Sequence, residues 1–184
     1  GLTLANFLGR AGARCLVIEQ QPTTSDEPRA VNLDDESLRS MQAAGLDHLV
    51  ASTILPTVGT KYIGPGGKTI AFAHPKSRSQ GHWPKNVFVQ PDFDAMLAVE
   101  AAKLDSVAVR FSTALTSLAQ DASGVLAGLT GSEGSYTVRA DWVVGCDGGR
   151  STTRELLGVS MSGSTFEQPW IVVDTIDDPN RHRY

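Results

Sequence analysis

Residues 1–21, "GLTLANFLGRAGARCLVIEQQ", decide the fold. Leu2, Ala5, Leu8 and Gly9 recur at helical spacing, which predicts a helix with one apolar face. Gly12 stops it, and "RCLVIE" follows as a short β-prone run. The expected pair is a helix over 1–12 and a strand over 14–19, the αβ half of a βαβ unit. The first strand of such a unit is not in the stretch, and the opening residue is not Met. The 184 residues are therefore read as an internal piece of a longer protein.

The strand ends in an acid, Glu19, 18 residues after Gly1. In dinucleotide-binding folds an acid at the end of the second strand accepts hydrogen bonds from the adenosine ribose hydroxyls. Gly1 would then be the last glycine of the phosphate-binding turn, where a missing side chain lets helix and strand pack closely. An ordinary αβ unit with a surface Glu gives the same pattern, so a second motif is needed.

That motif is "WVVGCDGGRSTTR", residues 142–154. An apolar run ends in glycine, an acid sits between glycines, and a Ser-Thr-Thr sequence opens a helix expected over 151–157. A helix N-terminus carries unpaired N–H groups and a partial positive charge. Ser151 is a natural cap. Asp147 can accept from ribityl or ribose hydroxyls, and Arg154, one turn into the helix, can tie down the loop or meet a phosphate. The plain alternative is an Asp-Gly turn between strand and helix.

Between these motifs lie a polar loop over 21–33 and a helix capped by Asp34 and stopped at Gly45. A hairpin is expected around "KYIGPGGKTIAF", then a short strand "NVFVQ", then a helix opened by Pro91 and running to about Lys103. From Val107 to Val144, short strands separated by Gly, Ser and Asp turns predict a β-meander feeding back into the main sheet. "FEQPWIVVD" reads as a strand entering a new sheet.

Composition bounds the class. The chain is 41% hydrophobic and 20% charged, which predicts a packed core. Its net charge is −4 and its pI about 5.5, against a nucleic-acid surface. No apolar run approaches the roughly 20 residues of a membrane helix. Cys15 and Cys146 lie in apolar runs and are expected as buried free thiols in a reducing cytoplasm. His48, His74, His82 and His182 show no metal-ligand spacing, so no metal is expected. Trp83, Trp142 and Trp170 are expected to pack in the core or under loops.

Several stretches, in fixed order, resemble the FAD-dependent aromatic hydroxylases, the single-component flavoprotein monooxygenases. "GCDGGRSTTR" resembles their Asp-Gly motif. "GLTLANFLGRAGARCLVIEQ" resembles the end of their FAD fingerprint. "PRAVNLDDESLRSMQAAGL" resembles the segment that places an Arg, here Arg29, near the flavin and pyrophosphate. "WPKNVFVQPDFDAML" resembles the segment whose Gln, here Gln90, touches the cofactor. "FEQPWIVVD" resembles the first strand of their substrate domain. The residues alone leave Arg29 open as a partner of Asp34 or Asp35, and Gln90 as a strand-end hydrogen bond.

The resemblance implies an α/β architecture: a Rossmann-like FAD-binding sheet with a β-meander over 1–160, and the start of a mixed-sheet substrate domain over 161–184. It implies FAD as cofactor, held by Gly1, Glu19, Arg29, Gln90, Asp147 and Arg154, with NADH or NADPH as co-substrate. The implied reaction is hydroxylation of a small phenolic substrate by O2, ortho to its hydroxyl. No catalytic side chain is named, because the reactive chemistry belongs to the cofactor. A homo-oligomer is compatible with the pattern, and neither nucleic acid nor membrane is an expected partner. Two departures stand out: the first two fingerprint glycines and the second flavin motif are not among these residues. The stretch alone is therefore expected to be inactive. Two other readings remain: a flavoprotein hydroxylase of another scaffold, such as a polyketide or simple phenol, and a non-catalytic nucleotide-binding fragment.

Overall fold

The computed structural model describes residues 1–56, 59–169, 171 and 173. The opening pair forms as helix α1 (Leu2–Arg10) and strand β1 (Cys15–Ile18). The buried face of α1 differs from expectation. It runs through Ala5, Asn6 and Gly9, while Leu8 is 38% exposed. The reason is steric. A Cβ on Gly9 would lie 2.4 Å from Val107 Cγ2 and 2.8 Å from Leu104 Cδ1, so α1 meets its neighbours backbone-first.

Those neighbours are helix α4 (Gln90–Ala102) and strand β7 (Val107–Arg110). β1 and β7 pair in parallel from Cys15↔Val107 to Ile18↔Arg110. The pairing continues past the strand ends, where Glu19 N–H donates to Arg110 O and Thr113 N–H donates to Glu19 O, both at 2.9 Å. Asn6 is fully buried and pins the helices together: its Nδ2 donates to Leu97 O at 3.0 Å. Ser106 Oγ donates to Gly9 O at 3.1 Å. Contacts thus advance the same way along α1 and α4, so the two helices run parallel.

The larger core gathers Leu38 and Met41 of α2 (Asp35–Ala43), Leu46, Val50 of α3 (Asp47–Thr53), Phe88, Phe93 and Leu97. Asp34 caps α2 by accepting from Ser37 N–H at 2.8 Å, and that bonding to Ser37 holds its carboxyl below the ordinary range. By contrast α4 has no side-chain cap. Burial compensates: Phe93 and Leu97 are 6% and 2% exposed. Each contributes roughly 1.5–3 kcal/mol, against the roughly 1 kcal/mol of a cap.

Three small antiparallel sheets complete the architecture. β6 (Asn86–Phe88) lies between β2 (Asn32–Leu33) and β3 (Ile54–Pro56). The hairpin joins β4 (Thr60–Ile63) to β5 (Thr69–Ala73). The meander is β8 (Ala114–Asp121), β9 (Gly124–Gly131) and β10 (Gly134–Ala140). Helix α5 (Thr152–Leu156) follows the Asp-Gly loop.

The last meander strand was expected to run on through Val144, but it ends at Ala140. Residues 142–147 form no ladder among the described residues, and Trp142 is 87% exposed rather than packed. An apolar run becomes a strand only where another strand supplies hydrogen bonds. Cys146 is likewise exposed, not buried. Residues 161–169 carry no regular structure, and Trp170, Val172 and Asp174 of the strand expected over "FEQPWIVVD" lie outside the described residues.

Candidate functional site: one edge of the parallel sheet

The turn over 11–14 reverses the chain between α1 and β1. The nine residues of α1 rise about 14 Å at ~1.5 Å each. The strand, taken to Glu19, spans about 16 Å at ~3.3 Å per residue. Gly1 and Glu19 therefore finish at the same edge, beyond the carboxyl end of β1. Because α4 runs parallel to α1, its first residue, Gln90, reaches that edge too. The Asp-Gly loop arrives from the meander: a Cβ on Gly1 would sit 3.7 Å from Cys146 Cβ. Two motifs far apart in sequence thus lie side by side.

Each expected residue has a defined place there. Gly1 caps α1 without a side chain, and the first turn of α1 holds no acid. Glu19 Oε1 accepts from Gln21 N–H at 2.8 Å, which fixes the carboxylate while Oε2 makes no hydrogen bond to a described residue. Gln90 Oε1 accepts from the backbone N–H of Arg29 at 2.7 Å and of Ala30 at 2.8 Å. Arg29 and Gln90, 61 positions apart, are thereby joined. Neither the Asp34 nor the Asp35 pairing forms among the described salt bridges.

Asp147 turns towards α5. Its Oδ2 accepts from Thr153 N–H at 2.8 Å, and its Oδ1 accepts from the Ser151 hydroxyl. Ser151 Oγ in turn accepts from Arg154 N–H at 3.0 Å. Burial alone would raise the Asp147 carboxyl, but the hydrogen bonds from Ser151 and Thr153 outweigh it and lower its pKa to about 2. The aspartate is ionised at neutral pH and braces the helix start. Arg154 Nη1 donates to Gly149 O at 3.0 Å, so it ties down the loop.

Glycines make this compact loop feasible. A Cβ on Gly145 would lie 3.0 Å from Thr153 Cγ2, so the Thr153 side chain would have to give way by a few tenths of an ångström. Gly148 adopts φ +72°, a left-handed conformation that a side chain disfavours. A Cβ on Gly149 would meet nothing within 4 Å, leaving backbone open to a ligand.

A dinucleotide fits this donor set. The uncapped first turn of α1 offers N–H groups and dipole to phosphates. Glu19 Oε2 offers an acceptor to ribose hydroxyls. Arg29 brings a cation held at its backbone by Gln90. Sequence reasoning had missed Asp94, whose Oδ2 accepts from Gln90 Nε2 at 3.2 Å. Its signal was present, an acid one turn after Gln90 in "QPDFDAML". Among the described residues no cluster of His, Cys, Asp and Glu could hold a metal ion, and no helix is long and apolar enough to cross a membrane.

The family described as "FAD binding domain" matches residues 1–183. A 3-(3-hydroxy-phenyl)propionate/3-hydroxycinnamic acid hydroxylase of Mycolicibacterium smegmatis is 43% identical over 183 residues, covering 99% of this chain and 32% of the relative. The chain thus spans about a third of the length of the curated relatives it matches. The crystal structure of p-nitrophenol 4-monooxygenase PnpA from Pseudomonas putida superposes with a TM-score of 0.80 at 28% identity, over 90% of this chain and 42% of that one. Aklavinone-11 hydroxylase, solved with FAD and aklavinone, superposes with a TM-score of 0.69 at 28% identity, over 86% of this chain and 32% of that one.

Proposed function

Because the chain belongs to the FAD binding domain family, we propose that it forms the cofactor-binding core, over 1–160, of an FAD-dependent aromatic hydroxylase. The observation that carries this reading is the convergence of Gly1, Glu19, Arg29, Gln90 and the Asp147 loop on one edge of the parallel sheet. Residues 161–184 open the substrate domain in the same reading.

Bound FAD supplies the redox chemistry, passing the electron pair of NADH or NADPH to O2 beside the aromatic ring. The chain's own residues bind and orient. First-turn N–H groups of α1 hold the pyrophosphate, with Gly1 allowing close approach. Glu19 Oε2 accepts from the adenosine ribose. Arg29 meets the phosphates or flavin from a loop fixed by Gln90. Asp147 organises the loop that closes over the pyrophosphate, and Arg154 clamps Gly149 so that its backbone stays presented.

The substrate proposed is 3-(3-hydroxyphenyl)propionate, after the relative at 43% identity. The sequence stretches "RAVNLDDESLRSMQAAGL", "WPKNVFVQP" and "WIVVD" point to the same subgroup. The overall change is phenol plus NAD(P)H, H⁺ and O2 to catechol plus NAD(P)⁺ and water. The hydroxyl enters ortho to the existing one, giving the 2,3-dihydroxy product in the cytoplasm.

The test uses the full-length protein. Purified protein is expected to carry a flavin spectrum. NADH or NADPH oxidation and oxygen uptake should be stimulated by 3-(3-hydroxyphenyl)propionate, with a catechol product. Flavin without stimulation would redirect the substrate to another phenol or a polyketide, as the aklavinone and p-nitrophenol enzymes suggest. A folded protein that takes up no FAD would overturn the reading and leave a non-catalytic nucleotide-binding module.

A further inference from the structure

We propose that Asp94 is a positioning residue for the nucleotide edge, fixing the orientation of the Gln90 amide and, through it, the backbone of Arg29 and Ala30. A glutamine amide has a donor end and an acceptor end of nearly equal shape, so its direction is set by its partners. Here two backbone N–H groups converge on Oε1, at 2.7 and 2.8 Å. Asp94 Oδ2 takes the other end at 3.2 Å. An ionised carboxylate can only accept. The opposite orientation would set NH2 against two N–H donors and amide oxygen against carboxylate, exchanging three attractions for three repulsions.

The pairing is built into α4. Asp94 follows Gln90 by four residues, the spacing that places side chains on one helix face. The clamped segment has no ladder of its own before β2 begins at Asn32. Gln90 therefore anchors the Arg29 loop to a helix that is itself held in the core by the buried Phe93 and Leu97. Gln90 acts on Arg29 through the main chain, and Asp94 acts through Gln90. The functional meaning rests on the FAD reading above, whereas the clamp is a property of the chain itself.

A reciprocal swap tests it. Gln90→Glu keeps an acceptor for the two N–H groups but sets a second carboxylate beside Asp94. Backbone amide exchange at Arg29 and Ala30, read in the full-length protein stripped of FAD, is expected to speed up about tenfold. FAD affinity, titrated by flavin fluorescence, is expected to weaken several-fold. The double variant Gln90→Glu with Asp94→Asn restores complementarity, since the amide introduced at position 94 can donate to the carboxylate introduced at position 90. Both readouts should then return towards wild type. Asp94→Leu, which preserves helix propensity, should raise exchange at the same two amides even if Gln90→Glu folds poorly. A double variant no better than Gln90→Glu, or Asp94→Leu with wild-type exchange, would overturn the proposal. If the wild-type protein binds no FAD, the cofactor reading fails alone, and the exchange pattern still decides the clamp.

Discussion

Asp147 commits both of its carboxylate oxygens to its own chain. In sequence it reads as an acid free to meet a cofactor hydroxyl. In the structure its carboxylate holds the Ser151 hydroxyl and Thr153 N–H, so its first task is to shape the loop. That role has a pH signature. The ordinary carboxyl value is 3.8, and the folded value is lowered to about 2. A depressed folded pKa means that the folded state favours the ionised form. The stabilisation is therefore complete above about pH 4 and is lost as pH falls towards 2. Exposure of the side chain trims its size through solvent screening. Asp147→Asn should lower the urea midpoint by a constant amount at pH 5–7, and the gap should close between about pH 4 and pH 2. A gap that stays constant down to pH 2 would mean that Asp147 has no such role. Ser151 was legible from sequence because Ser at a helix start is a common cap. The partners of Asp147 were not, since they depend on how sharply the glycine turns fold back.

At the scale of the element, the sequence was most informative where the chain's own periodicity decides the structure. Helix α1, strand β1, the hairpin, α4 and the meander strands were all legible within a few residues. Elements defined by distant partners were not. β2 and β3 have two and three residues and exist only because β6 lies between them. α3, "DHLVAST", is only seven residues long and carries the β-branched Val50 and Thr53, and it is held by the burial of Val50. The face of α1 was misjudged for the same reason, since its contact is backbone against Val107 rather than Leu8 against a core. This yields a prediction whose sign is opposite to helix propensity. Gly→Ala inside a helix ordinarily stabilises by about 1 kcal/mol. At Gly9 the new methyl would sit 2.4 Å from Val107 Cγ2, and overpacking costs roughly 1–3 kcal/mol. Gly9→Ala should therefore lower thermal stability. Combined with Val107→Ala it should cost less than the two single changes summed, since the clash and the cavity offset each other. Strict additivity in that double-mutant cycle would rule out the close approach as the cause.

At the scale of the whole molecule, stability is unevenly spread. Both apolar clusters lie around α1, α2, α4 and the strands beside them, and neither includes a residue of the β4–β5 hairpin. The hairpin is amphipathic by sequence, yet Tyr62, Ile63, Ile70 and Phe72 are each more than half exposed. A two-stranded hairpin without a packed face is marginal in water, so its ladder has little to hold it. Local opening free energy follows burial and packing rather than hydrogen-bond count. In a polypeptide of residues 1–184, amides of 60–73 should exchange orders of magnitude faster than those of α4 or β9, with proteolytic nicking concentrated there. The same measurement on the full-length protein separates two accounts of those apolar side chains. Equal lability in both would make the hairpin an intrinsically loose appendage. Protection only in the longer protein would show that its apolar residues belong to a packed interface. Hairpin protection equal to that of α4 in the 184-residue polypeptide would contradict the uneven distribution itself.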